Sequence, residues 1–374
     1  MLKLNAVNLL LFLGLWLIPG AFSPSLGARM TFQRSVAGIN VGSFKLKQTV
    51  HVFSIDGEIV DGDAEQFIEL SSRYYSQTHD QSALVILNSE GGSFEEGLKL
   101  LNIFINGGFL TYVKKDAVCN SACAIAFLGG TLVEWQTDAD SAIARMMEPG
   151  AKIGFHRPSL SVELPEAEYK RSNVEQAYAD AYASSAAQIG LLLEYSRIPN
   201  IRSSLIAEML KTKDGFYYID TVNKAGRWDI DVVGVKFPSN PNRDQIYLAC
   251  MNLVGWSQDN FAEGATLPRL DNGKETSPSR LQDRRTTRGG KVYVDLDTLQ
   301  ANVCVIQERK SDADYSRFSG EAYTRYGTAE QAINDLDKIA LYGTRMKPIY
   351  FYNGEASLVS LPRTSGTELS LGSD

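Results

Sequence analysis

Three short segments carry residues able to do acyl-transfer chemistry, and they follow one another in a workable order. Ser121 stands in Cys119-Asn120-Ser121-Ala122-Cys123-Ala124, where a strand and turn run into an apolar helix. A serine at a helix start is most often a cap for the first turn. The same position also suits a nucleophile, because free N–H groups and the helix dipole there stabilise a developing oxyanion. Of the 3 histidines, His51 opens a strand and His79 lies in the polar stretch Gln77-Thr78-His79-Asp80-Gln81. Only His156, in Gly154-Phe155-His156-Arg157-Pro158, closes an apolar strand. Parallel sheets present their ligand-facing groups at that end, although a histidine there also serves structural roles. Upstream, Asn88-Ser89-Glu90-Gly91-Gly92 separates a buried strand from a helix. Paired glycines permit a sharp turn that exposes N–H groups to a ligand, or make a plain β-to-α turn.

The elements that must hold these segments alternate in type. Residues 51–55 read as a strand and 61–75 as an amphipathic helix, with Ala64, Phe67, Ile68 and Ser71 on one face. The continuous apolar run 83–87 is that of a strand buried on both sides. A second helix starts at Ser93, with Phe94, Leu98, Leu101 and Ile105 at helical spacing. Residues 109–113 and 152–156 are further strands, and 121–128 form a short apolar helix closed by Gly129-Gly130. Residues 164–210 read as helical with a break near Pro199, followed by a strand at 216–219 and a short helix at 223–226. Such alternation predicts βαβ units and a largely parallel sheet. Beyond residue 238 the pattern changes: 247–254, 291–306 and 349–361 look like β segments, and 258–290 reads as a mobile or disordered insert. The last ten residues form a polar tail.

The first 28 residues have the form of a secretory signal peptide. Lys3 precedes an apolar run from Leu9 to Ile18, which Pro19-Gly20 ends before small residues follow. That run is shorter than the roughly 20 residues of a membrane span, and an uncleaved anchor is the alternative. The expected organisation is 1–28 as signal or anchor, 29–238 as one domain, and 239–374 as a small mainly-β region. The formal net charge of −7 argues against a nucleic-acid partner, which calls for a basic face. Export permits disulfides among the 4 cysteines. Cys250 and Cys304, both in strand-like segments, are the first expected pair. Cys119 and Cys123 admit three readings, in order: buried apolar packing, a bridge across the turn, or Cys123 as a nucleophile beside His156. No histidine or acidic cluster stands near them to make a metal site.

Taken together, the three segments resemble the Clp protease proteolytic subunit and the wider ClpP/crotonase fold, in particular exported ClpP-like proteins with a Ser-Ala-Cys motif. Phe53-Ser54-Ile55-Asp56-Gly57-Glu58-Ile59 is similar to that family's opening strand, and the resemblance covers roughly residues 50–236. It implies a βαβ spiral core, with Ser121 as nucleophile, His156 as general base, and the N–H groups of Gly92 and Ala122 as oxyanion hole. It also implies an acid that orients the imidazole. Asp214, in Asp214-Gly215-Phe216 ahead of Lys224-Ala225-Gly226 and Trp228-Asp229-Ile230-Asp231, fits that layout, with Asp220 second. Two departures stand out: Glu90 replaces the family's proline, and Thr137 to Met147 lengthen the interval between Ser121 and His156.

The resemblance implies a serine endopeptidase that takes a peptide or protein substrate and needs no cofactor, in the periplasm or outside the cell. Contact with the membrane would come only through an uncleaved N-terminus. Homo-oligomers are allowed, while the insertion at Thr137 to Met147 and the long helices at 164–196 count against a family-like ring, and an unfoldase partner would need cytoplasmic ATP. Two other readings stay open. One is a catalytically silent binding or scaffold protein on the same fold. The other is a crotonase-type acyl enzyme, disfavoured by export because its CoA substrates are cytoplasmic. Of the lysines available for a Ser-Lys pair, Lys114, Lys115 and Lys152 are nearest in sequence, but none has the strand-end setting of His156.

Overall fold

The computed structural model describes residues 27–41, 44–133, 142–158, 183, 186–194, 201–258, 285–288, 291–295, 303–308, 317–323 and 344–364. All but the last two residues of the expected signal peptide, almost all of the 258–290 insert, most of the helical stretch expected at 164–210 and the polar tail therefore lie outside the described residues. The chain is a mixed α/β protein. Its first sheet is built from β1 (Arg29–Val41), β2 (Phe44–Asp56), β3 (Gln81–Asn88), β4 (Phe109–Val113), β8 (Arg145–Met147) and β11 (Ile230–Val232). These 6 strands lie side by side in the order β1-β2-β3-β4-β8-β11. Only the β1–β2 hairpin is antiparallel; from β2 to β11 every neighbour runs parallel. Two crossover helices account for the first of these parallel steps, α1 (Asp63–Ser72) and α2 (Phe94–Gly107).

Both faces of the central strands are buried, which explains their continuous apolar runs. Val85 and Leu87 of β3 face a cluster with Phe53, Phe67, Phe104 and Phe109, whose rings meet edge to face or tilted at 5.3–6.3 Å. Leu84 and Ile86 face the other way, onto Val50, Val52, Leu110, Tyr112 and Met146. Truncating one of these buried rings to alanine costs about 3–5 kcal/mol, a large part of a domain's net stability.

Four strands of this sheet are continued by segments that leave it and pair in a second layer. After β2, Ile59 pairs with Gly92; after β3, Ser89 pairs with Cys119. After β4 comes β5 (Val118–Asn120), and after β8 comes β9 (Lys152–Phe155), which runs parallel to β5. The antiparallel β10 (Tyr217–Tyr218) completes the layer in the order β10-β9-β5. Between them lie α3 (Ala122–Phe127) and the small pair β6 (Thr131–Leu132) with β7 (Ala142–Ile143). Then come α4 (Ser203–Lys211) and α5 (Val222–Arg227).

Residues 285–288, at the end of the insert expected to be mobile or disordered, form a paired strand, and the C-terminal region differs from the sequence expectation in two further places. Residues 247–254, expected as a strand, lie in the helix α6 (Arg243–Gln258). Ile246, Tyr247, Leu248, Ala249, Cys250, Leu253, Val254 and Trp256 are all buried, so the helix lacks the polar stripe that would mark its period. Its start is marked by Asn242, whose Oδ1 accepts from the Gln245 N–H while Gln245 Oε1 accepts from the Asn242 N–H. This is a reciprocal cap of the Ser/Thr-x-x-Glu kind. Residues 349–361, also expected as β, form 3₁₀ turns at Pro348–Phe351 and Leu358–Ser360.

The remaining strands form an antiparallel sheet in sequential order: β12 (Arg285–Arg288), β13 (Lys291–Asp295), β14 (Val303–Glu308), β15 (Phe318–Tyr323) and β16 (Thr344–Met346). Cys250 of α6 and Cys304 of β14 are bonded at 2.04 Å, joining a helix to a strand rather than two strands. The core runs without a break from β2 into this region. Trp256 packs against Gly226 and donates to Asn223 Oδ1 at 3.0 Å, while Tyr350, Phe351 and Met346 share one apolar cluster with Trp228 and Ile230.

Candidate active site

Ser121 sits at the elbow between β5 and α3 with φ 53° and ψ −121°, one of 3 described non-glycine residues at positive φ. A side chain in that region costs on the order of 1–3 kcal/mol, and the surroundings must hold it there. A strained strand-to-helix turn that lifts a hydroxyl clear of the sheet is the geometry of a nucleophile elbow. The Ser121 N–H donates to Gly154 O at 2.9 Å, and its carbonyl accepts from Ile125 N–H at 3.0 Å, which starts α3. The hydroxyl makes no capping bond to the helix.

Strand register delivers the histidine. Asn120 pairs with Gly154 in the parallel β5–β9 ladder, so His156 emerges from β9 just past the level of Ser121. His156 Nε2 lies 2.7 Å from Ser121 Oγ. Gly154 leaves room for the Asn120 side chain of the neighbouring strand, because a Cβ there would come within 2.5 Å of Asn120 Oδ1. The edge of Phe216 packs on the imidazole with ring centres 5.0 Å apart and planes at 84°. Burial lowers the pKa of His156 below its ordinary value of 6.5, so the ring is neutral at pH 7 and able to take a proton.

The glycine pair lies directly against the elbow. Gly91 and Gly92 have φ 111° and 136°, values strained for any other residue. A Cβ on Gly91 would lie 2.6 Å from that of Ser121, and one on Gly92 would lie 2.1 Å from Ile59 O. The Ile59 N–H donates to Gly91 O and the Ser93 N–H donates to Ile59 O. That pairing uses the groups on either side of Gly92 and leaves its own N–H out. Ala122 opens α3, and the first N–H groups of a helix have no intrahelical acceptor. Gly92 and Ser121 line one cleft, and Ala122 directly follows Ser121 in the chain. The glycine turn is braced by Ser89 Oγ accepting from Gly91 N–H at 3.1 Å, and by Asn120 Nδ2 donating to Glu90 Oε2 at 2.9 Å. Glu90 thereby ties the turn to the residue before Ser121.

A cleft of about 360 Å³ opens over this group. Its walls include Gly92, Phe94, Ile125, Phe155 and Met209, with Glu95 and Gln188 among its polar members. Gln188 and Met209 are not legible in the sequence as site residues, because they belong to helical segments far along the chain. Phe216 carries a faint signal, as the neighbour of a residue chosen for other reasons.

The expected acid is not brought to the site. Asp214 is exposed on the loop before β10, and no hydrogen bond or ion pair joins it to His156 among the described residues. Asp220 instead accepts from Lys224 Nζ at 2.7 Å, at the surface. Matching a short Asp-x-Phe pattern puts the aromatic residue at the imidazole and leaves the carboxylate in solvent. The cysteines also differ from the first expectation. Cys119 and Cys123 are bonded, with S–S 2.06 Å and Cα–Cα 5.0 Å, rather than merely packed. In that state Cys123 has no thiolate to offer as a nucleophile.

No protein-family model and no curated protein sequence matches this chain. Among solved structures it is similar to that of a mutant of the 1510-N membrane-bound stomatin-specific protease, at 15% identity over 49% of this chain and 76% of that one, with a TM-score of 0.30.

Proposed function

We propose that this chain is a serine peptidase built on a ClpP/crotonase-like βαβ spiral, with Ser121 as nucleophile and His156 as general base. The observation that carries the reading is the 2.7 Å approach of His156 Nε2 to a serine hydroxyl held at a strained strand-to-helix elbow. In this mechanism Ser121 Oγ attacks the carbonyl carbon of a peptide bond as its proton passes to Nε2. The N–H groups of Gly92 and Ala122 take the developing oxyanion. His156 then returns the proton to the leaving amine, and a water deprotonated by the same nitrogen hydrolyses the acyl-enzyme. The four segments that leave the first sheet and pair in a second layer support the spiral. Asp214 takes no part in this mechanism; Phe216 and the walls of the cleft orient the imidazole.

Two disulfides suit a non-reducing compartment, and we read the chain as exported to the periplasm or beyond. No helix among the described residues is long and apolar enough to cross a membrane. A fluorophosphonate probe and a peptide-hydrolysis assay test the function on the purified chain. Ser121→Ala should abolish labelling, and His156→Ala should slow it by about 10²–10⁴-fold, the usual worth of a positioned base. A chain that neither labels at Ser121 nor cleaves peptides would instead be a binding protein on this fold.

A further inference from the structure

The Cys119–Cys123 bridge encloses the elbow whose apex is Ser121. Cys119 lies in β5 two residues before the apex, and Cys123 lies in the first turn of α3 two residues after it. Both cysteines are fully buried, so the bond is part of the packed interior behind the cleft. We infer that this disulfide is a positioning element that holds Ser121 in its positive-φ conformation, so that the hydrolytic site is assembled only in the oxidised chain. The inference rests on the proposed hydrolase chemistry and adds a condition to it.

The physical case has three parts. A serine at φ 53° relaxes toward negative φ unless its neighbours prevent it, and that rotation would swing Oγ away from His156. The hydrogen bonds at Ser121 N–H and O secure its two peptide groups to β9 and α3, but they tolerate small rotations between them. The covalent bond joins the two sides of the elbow at a Cα separation of 5.0 Å and removes that freedom. Gly91 also sits too close to Ser121 for the elbow to shift without moving the glycine turn, so the nucleophile and the Gly92 donor would be displaced together. Closing the bridge forms one S–S bond and releases two protons and two electrons. A disulfide-class oxidant, such as oxidised glutathione, accepts them as it becomes two thiols.

The test uses the full chain in three forms: wild type, Cys119→Ala with Cys123→Ala, and Cys250→Ala with Cys304→Ala. The rate of fluorophosphonate labelling at Ser121 is measured for each, together with kcat and KM for a peptide ester. The first pair of substitutions should slow labelling by about 10²-fold, the usual consequence of misplacing a reacting atom by about 1 Å, and lower kcat more than KM changes. The second pair should label at the wild-type rate once corrected for folded fraction by circular dichroism. If the first pair does not fold, wild-type chain is reduced with a phosphine and reoxidised with oxidised glutathione. Labelling should disappear as the thiols of Cys119 and Cys123 become alkylatable, and then return. Wild-type labelling rates with both thiols free, or with both cysteines replaced, overturn the inference. Absence of labelling in the oxidised wild type overturns the hydrolase reading itself.

Discussion

Ser121 and His156 owe their reactivity to different physical causes. The serine is held against torsional strain by its surroundings, in a register that sets its hydroxyl against the ring; the histidine is tuned by loss of water. Because burial lowers its pKa, the neutral base persists to lower pH than for an exposed histidine. Activity should therefore rise with pH through a pKa below 6.5 and be level by pH 7, as read from the pH dependence of kcat/KM, which reports the free enzyme. A carboxylate hydrogen-bonded to Nδ1 would act in the opposite direction by stabilising the imidazolium. An acid limb centred above about pH 7 would thus reveal such a partner and refute the two-residue mechanism.

The helix α3 is placed by its contact with α2, and that contact depends on glycine. A Cβ on Gly97 of α2 would lie 2.6 Å from the carbonyl oxygen of Ala122, and one on Gly129 would lie 2.5 Å from that of Leu101. These neighbours are backbone atoms, which cannot rotate aside. Gly97→Val should cost about 1–3 kcal/mol of stability through overpacking. By pushing on the first residue after Ser121 it should also slow probe labelling in the fraction that remains folded. Gly190, with nothing among the described residues within 4 Å of its added Cβ, is the control: Gly190→Ala should lower neither the thermal midpoint nor the labelling rate. Equal losses at the two positions would show that backbone contact is not what positions α3.

The C-terminal region completes the core beneath the site-bearing layer. Trp256 covers Gly226, Asn252 donates to the carbonyls of Tyr350 and Tyr352 at 2.9 and 3.0 Å, and Arg363 reaches Pro149 O at 3.2 Å. A chain ended at residue 238 would expose Trp228, Ala225 and Ile230, which now share a cluster with Leu253, Val254 and Tyr350. Such a truncation should lose cooperative thermal unfolding, as followed by circular dichroism. Removing the Cys250–Cys304 bond alone should lower stability by about 2–4 kcal/mol and leave a folded chain. A cooperatively folded 29–238 fragment would mean that the C-terminal region is an independent unit.

Reading the residues in order is enough to find the glycine turn, the serine at a helix start and the histidine at a strand end. Each depends on local chemistry: glycine for positive φ, an apolar run for a buried strand, a small-residue helix behind a hydroxyl. The parallel strands are legible for the same reason, because burial on both faces leaves an unbroken apolar run. What depends on distant partners is not legible. The buried α6 looks like a strand because it has no polar stripe, and Asp214 looks like a triad member because no short pattern reports solvent exposure. The brace from Glu90 to Asn120 and the 2.7 Å approach of His156 to Ser121 both arise where separate strands leave one sheet for the next. Only the register between those strands decides which side chains meet.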